Sequence, residues 1–320
     1  MTGLQYGAQV PHRGPMTDPE CIRAIVSEAE TLDYGLLTVA DHIVVPKDID
    51  SRYPYSEGGD FPGQAGGECM EQLTLLSYVA AMSRKAKLLT SVMVVPHREP
   101  LLAAKSLATT DQLSGGRVVV GCGTGWMREE FEAIGAPDFA RRGEVTDDYI
   151  RIFKKVWTDD DAAHESAYST FSNITFKPKP VQNPHPPIWI GGESGRAHRR
   201  VVELGDGWYP IGANPAHPLD SIERYKAARD RLHARAEEAG RDPSTISLAY
   251  NAPFHSRREQ AGRDGKRMIM TGSAADRAAD ISALKALGVT TVVLNTLAAE
   301  LPATLDRMRE FREEVVPLVD

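Results

Sequence analysis

SRKAKLLTSVMVVPHREPLLAAKSLATTDQLSGGRVVVGCGTGWMREEFEAIG, from Ser83 to Gly135, holds two units of one kind in succession, each an apolar strand, a turn and a helix. In the first, the strand Leu88 to Val95 runs through Pro96 and Pro100 into the helical pattern Leu101 to Leu113. In the second, the strand Val118 to Val120 leads through Gly121, Gly123 and Gly125 to a helix near Met127. Tandem units of this sort read as half of a cofactor pocket.

Working outward, the same alternation continues in both directions. Upstream, Gly3 to Val10 reads as a strand, and Ile22, Ile25, Val26, Ala29 and Leu32 fall on one helical face. Leu36 to Ala40 is a second strand ending at Asp41-His42, followed by a Gly- and Pro-rich loop from Pro46 to Gly67 and the helix Glu71 to Ala81. A loop this long reads as a lid. Downstream, Val145, Tyr149, Ile152, Phe153, Val156 and Trp157 share a helical face, and Tyr168 to Phe176 is predicted as a small hairpin.

Strands are then predicted at Pro187 to Ile190, Gly207 to Ile211, Ile246 to Asn251 and Thr290 to Asn295, with helices through Val201 and Leu204, at Leu219 to Ala239, at Ala274 to Leu287 and at Glu300 to Val315. Eight strands alternating with helices imply parallel pairing with right-handed crossovers, and the number eight points to a closed (β/α)8 TIM barrel with loop insertions. Periods of this length also occur in solenoids, but the units share no residue signature. One barrel domain over residues 1–320 accommodates the chain.

Bulk properties narrow the function. Hydrophobic residues at 42% and charged residues at 25% are ordinary for a globular protein with a large core, and a net charge of −7 gives no basic footprint for nucleic acid or an anionic membrane. A small-molecule partner is favoured. Cys21, Cys69 and Cys122 are odd in number and far apart, which defines neither a disulfide framework nor a zinc knuckle and fits a reducing, cytoplasmic setting; no metal is expected. Neither a secretory signal nor an apolar run of membrane-spanning length is legible.

In a barrel of this type, chemistry gathers where strands end and helices begin. Asp41-His42 ends the second strand, where the histidine can move a proton near neutral pH and an adjacent carboxylate can orient it; loop carbonyls could equally satisfy the ring. Gly121-Cys-Gly-Thr-Gly-Trp126 lets backbone amides close on a ring or phosphate at a helix N-terminus. It resembles the first motif of S-adenosylmethionine methyltransferases, but the strand that should follow within about 20 residues is missing from MREEFEAIGAPDFARRGEVTDDY, and three strands precede it. The acids of MREEFEA read as a solvated helix face. Gly191-Gly-Glu-Ser-Gly195 reads as a phosphate nest at a helix N-terminus, with Ser194 also suited to N-cap that helix. From composition alone Ser91 is a buried hydroxyl bonded to backbone.

Together, Asp41-His42, the block LTLLSYVAAMSRKAKLLTSVMVVPHREPLLAAKSLATTDQLSGGRVVVGCGTGWMREEFEAIG and the block PKPVQNPHPPIWIGGESGRAHRRVVELGDGWYPIG resemble the luciferase-like superfamily, and within it the coenzyme F420-dependent oxidoreductases. The match runs well from Leu36 to Gly212; beyond it, only the order of elements agrees. The resemblance implies a barrel with F420, or alternatively FMN, across the strand C-terminal ends, and a non-proline cis peptide at Ser91-Val92 behind its ring. It also implies that Asp41 contacts the ring region, that Thr124 and Gly125 border the ring or ribityl chain, that Gly191, Gly192, Glu193 and Ser194 hold the phosphate, and that His42 faces the substrate as proton donor or acceptor. Where F420-dependent sugar-phosphate dehydrogenases of this family carry a glutamate after the Gly-Thr-Gly turn, this chain has Trp126, an aromatic wall suited to reduction of an apolar substrate.

The implied activity is therefore an F420-dependent reductase, with an FMN-dependent monooxygenase as its alternative and a non-catalytic flavin or deazaflavin carrier as a second. Substrate determinants are expected in the Pro46 to Gly67 loop, the Tyr168 region and the Asn251 to Gly272 loop. Pairing into a homodimer is implied by the resemblance alone.

Overall fold

In the computed structural model, which describes residues 3–63 and 66–320, eight strands close into a parallel barrel. They are β1 (Gln5–Gln9), β2 (Leu36–Val39), β3 (Lys87–Thr90), β4 (Val118–Gly123), β5 (Ile188–Gly191), β6 (Gly207–Tyr209), β7 (Ser247–Ala252) and β8 (Val289–Leu294). Each strand pairs with the next, β8 pairs with β1 through Tyr6 opposite Val292, and Leu88 opposite Val118 joins β3 to β4, so the ring has no gap. Alternate residues Leu36, Leu89, Val119, Trp189, Tyr209, Ala249 and Val293 fill the interior. Gly7 belongs to the same layer, because a β-carbon there would lie 2.9 Å from Val293 Cγ2.

The helices that return the chain are α1 (Pro19–Thr31), α2 (Gln72–Met82), α3 (Pro100–Ser114), the short α4 (Arg128–Ala133), α5 (Arg142–Thr158), α6 (Gly195–Leu204), α7 (Ile222–Glu238), α8 (Ala274–Ala286) and α9 (Leu301–Glu310). Their starts are set by side chains that accept from free N–H groups of the first turn. Glu71 accepts from Thr74 N–H, Glu99 from Leu102 N–H ahead of Pro100, and Ser273 with Asp276 forms a reciprocal capping box. A larger core, including Leu37, Val39, Leu76, Leu107 and Phe153, lies between strands and helices.

Three predicted elements differ in detail. The third strand is not continuous from Leu88 to Val95: it breaks at the cis peptide Ser91–Val92 and resumes as Met93–Val94. The fourth extends three residues further than Val120, so Gly121 and Gly123 are strand residues and the turn begins at Thr124. The excursion after α5 is a two-residue pairing of His164–Glu165 with Thr170–Phe171, anchored by Ser166 Oγ–H donating to Asp148 Oδ2 (2.8 Å). Among the described residues, no helix is long and apolar enough to cross a membrane.

Candidate functional site

The C-terminal ends of the strands open into a cleft of about 1050 Å3, lined by Asp41-His42, Ser91-Val92, Gly123 to Trp126 and Gly191 to Ser194 but not by Gly121, Cys122 or Gly195. Its geometry follows from what each strand end presents.

β2 runs out at Asp41 and His42, and the two side chains part. Asp41 is buried and committed to structure: its carboxylate accepts from both Nη atoms of Arg98 (2.8 Å each) and from Val94 N–H (2.8 Å). Arg98 in turn reaches Glu71. Asp41 therefore ties β2 to the segment after β3 instead of offering a free carboxylate to a ligand. The carboxylate that orients His42 is Glu130: its Oε2 lies 2.7 Å from His42 Nδ1, while its Oε1 accepts from Ile43 N–H (2.7 Å) and Val44 N–H (3.3 Å). This corrects the reading of MREEFEA as a solvated face, since Glu130 is 1% exposed. The loop after β2 folds over α4 and removes that face from water.

With two amides donating to it, Glu130 acts as an acceptor, so Nδ1 of His42 carries the proton shared with it and Nε2 is the ring atom left for the cleft. His97 stands behind Glu130, its Nδ1 3.8 Å from Oε1, with a pKa lowered by burial against the pull of Glu130 and Asp41.

The floor is built from close approaches that only glycine permits. Val92 packs so tightly over β4 and β5 that a β-carbon on Gly123 would lie 2.6 Å from Val92 Cγ2, and one on Gly191 3.1 Å from Cγ1. A β-carbon on Gly121 would lie 2.1 Å from the Thr90 carbonyl oxygen. The Ser91 hydroxyl, expected to bond backbone, pairs instead with Tyr209 Oη (2.9 Å) across the barrel mouth. Thr124 and Gly125 follow on one wall, Gly125 at φ 79° with its carbonyl accepting from Arg142 Nε (3.2 Å).

Trp126 opens an aromatic wall supplied mainly by the long loop. Tyr53 and Phe61 lie 5.1 and 5.2 Å from it, centroid to centroid, and Phe61 lies 5.0 Å from the His42 ring. The loop is pinned to α4 by Asp50 N–H and Ser51 N–H donating to Glu129 Oε1 (3.0 Å each) and by Arg128 N–H donating to Ser51 Oγ (3.1 Å). Two residues of the Pro46 to Gly67 loop, Gln64 and Ala65, lie outside the described residues.

At the opposite end, the turn after β5 does less uniform work than a four-residue nest. Gly192 takes φ 105° and its carbonyl accepts from Trp208 Nε1–H; Ser194 caps α6 by accepting from Ala197 N–H. Glu193 turns away, accepting from Ile211 N–H (2.9 Å) and Asn214 Nδ2–H (2.7 Å), and burial raises its pKa. It braces the β6 loop and is unsuited to hold a phosphate. The cations of this end are Arg196 and Arg142. Among the described residues Arg196 has no carboxylate partner, and Arg142 donates only to the Gly125 and Phe139 carbonyls. Arg199 and Arg200 both pair with Asp147.

A shelf of glycine backbone at the floor, a proton-bearing histidine and aromatic wall on one side, and a helix N-terminus with two carboxylate-free arginines at the far end suit a flat ring with a phosphorylated tail. Among the described residues no cluster of His, Cys, Asp and Glu is arranged to hold a metal ion. The sequence reading missed Glu130, Arg142 and Arg196, and pointed to the Pro46 to Gly67 loop without naming Tyr53 and Phe61. Only Glu130 had a local signal, an acid in the first turn of a helix that begins at the barrel mouth.

The sequence model of the luciferase-like monooxygenase family matches residues 6–287. The chain belongs to this family. Within the curated members of the luciferase-like family, an FMNH2-dependent dimethylsulfone monooxygenase of Pseudomonas putida is 37% identical over 184 residues, 57% of this chain and 48% of that protein, so the chain spans about half the length of that relative. Two solved structures share the fold over nearly the whole of both chains. The monooxygenase RslO1 of Streptomyces bottropensis has a TM-score of 0.75 at 18% identity over 98% of this chain and 99% of the other. The coenzyme F420-dependent tetrahydromethanopterin reductase of Methanopyrus kandleri has a TM-score of 0.73 at 16% identity over 100% of each. The curated relative is thus described as FMNH2-dependent and one structural neighbour as coenzyme F420-dependent, and membership of the luciferase-like monooxygenase family is what is shown for this chain.

Proposed function

We propose that this chain is an F420-dependent reductase that adds a hydride and a proton to a small, largely apolar organic substrate bound against Trp126. The observation that carries the reading is the His42–Glu130 pair opening on the cleft. When bound, the deazaflavin supplies the hydride; proton handling and orientation fall to the chain.

His42 presents Nε2 to the substrate as the atom that passes the proton, and Glu130, bonded to Nδ1, fixes the ring. The Tyr53–Phe61–Trp126 wall excludes water and gives the substrate a flat apolar surface beside that proton. Gly191, Gly192 and Ser194 would meet the phosphate of the cofactor, with Arg142 and Arg196 beside them. Two cations without carboxylate partners suit an anionic tail, whether the phosphodiester and carboxylates of F420 or the phosphomonoester of FMN, which carries close to two negative charges.

A second reading, an FMN-dependent monooxygenase, is favoured by the 37% identity to a protein of that description. Titration of the purified protein with oxidised and reduced F420 and FMN, followed by absorbance or fluorescence, decides between them. Tight F420 binding with hydride exchange supports the reductase; tight FMN binding with none for F420 overturns it. Binding without turnover over a panel of substrates leaves a carrier.

A further inference from the structure

Arg13, in the loop after β1, is a cation without a counterion on the substrate side of the cleft. Among the described residues no carboxylate pairs with it, and its guanidinium lies over the Phe61 ring at 5.1 Å. Phe61 is the ring that also contacts His42 and Trp126. The two carboxylates of this end are committed elsewhere, Asp41 to Arg98 and Val94 N–H, Glu130 to His42 and two amides. The neighbouring His12 gives no compensating charge: burial, then Arg13 and His42, lower its pKa to about 4, so it is neutral at pH 7.

A half-buried guanidinium that the protein leaves unneutralised is costly unless something else neutralises it. Its planar fork matches a carboxylate. Arg52, in the long loop, already donates to the Gly58 carbonyl (3.1 Å). Arg196 lies on α6 at the other end of the cleft.

We infer that the substrate is an unsaturated or aromatic carboxylic acid, its carboxylate on Arg13 and its apolar body on Tyr53, Phe61 and Trp126 beside His42. The inference rests on the cleft being the substrate site of a flavin- or deazaflavin-dependent enzyme, and it changes the expected substrate from merely apolar to apolar with one anionic end.

The test is calorimetric titration with cinnamate and its neutral isostere cinnamamide. It uses cofactor-free protein and protein loaded with whichever of F420 or FMN binds. Wild type should bind cinnamate about tenfold or more tighter than cinnamamide, the scale of one charge-assisted pair. Arg13→Gln should abolish that preference while leaving cinnamamide and cofactor affinities unchanged, Arg13→Lys should keep part of it, and Arg196→Gln should leave it intact. Equal affinities in wild type, a preference surviving Arg13→Gln, one lost in Arg196→Gln, or no binding of either probe would overturn the inference. If Arg13→Gln does not fold, the wild-type comparison and Arg13→Lys decide it. Failure of both cofactors to bind sinks the reductase reading separately, because the cofactor-free titration still reports on Arg13.

Discussion

A buried carboxylate whose acceptors are filled by one imidazole and two backbone amides has a narrow role, to hold that ring in place. Glu130 does this for His42. It stands behind the ring, so it is a positioning residue, and its loss should appear in turnover and not in binding. Glu130→Gln keeps the shape and removes the charge; kcat should fall about 10- to 100-fold, with KM and cofactor affinity changed less than about threefold. Glu130→Asp should recover part of the rate. A purely structural Glu130 would instead lower stability and affinity together in both variants, which steady-state kinetics with a parallel cofactor titration would reveal. Asp41 and His42 were legible in the sequence because polar residues at the end of an apolar strand are conspicuous. Glu130 was not, since a charge on a short helix ordinarily faces water and only the loop laid over α4 shows otherwise.

Among the elements, α4 and the loop from Pro46 to Gly67 depend on each other. The helix has only six residues, too short to persist without tertiary contacts. Its Glu129 gathers the Asp50 and Ser51 amides, and the loop then brings Tyr53 and Phe61 onto Trp126. Glu129→Ala removes that pin without touching the core. Limited proteolysis should then cut the loop several-fold faster, and substrate KM should rise, while stability to denaturant falls by no more than about 1 kcal/mol. An unchanged cleavage rate would mean that the aromatic contacts and the Arg128 N–H bond to Ser51 Oγ hold the loop without Glu129. The glycine-rich segments show what pattern reading leaves out. Gly125 and Gly192 have the positive φ that turn glycines are expected to have. Gly121 and Gly123 look identical in sequence but are strand residues, required because Thr90 and Val92 come too close for any side chain, a contact between β3 and β4 that no local pattern encodes.

At the scale of the molecule, the alternation of apolar strands and amphipathic helices sufficed to predict the closed barrel, because each strand is buried on both faces and each helix on one. Its electrostatics depend on burial and required the structure. His198 on α6 is 3% exposed, stacks edge-on against Trp208 at 5.1 Å and has no partner for Nε2 among the described residues; burial first, then Arg231 and Arg235, lower its pKa to about 4. His12 and His255 are lowered to about 4 as well, burial again leading. In the unfolded chain each returns to about 6.5, so between pH 4 and 6.5 the unfolded state binds more protons than the folded one. The stability these neutral rings contribute is complete above about pH 6.5 and is lost as the pH falls toward 4. Carboxylates lowered by their partners, such as Glu71 and Asp220, lose theirs only below about pH 4.5, so from pH 5 to 7 the three histidines outnumber the opposing effect of Glu193, whose pKa burial raises. Denaturant unfolding should therefore show a marked loss of stability from pH 7 to pH 5. In His198→Phe that loss should be smaller by roughly 1 to 2 kcal/mol, one proton over about 1.5 pH units at 1.36 kcal/mol each. Identical pH 7 to pH 5 differences in the two proteins would show that the ring is already charged in the fold, against its placement between Trp208 and two arginines.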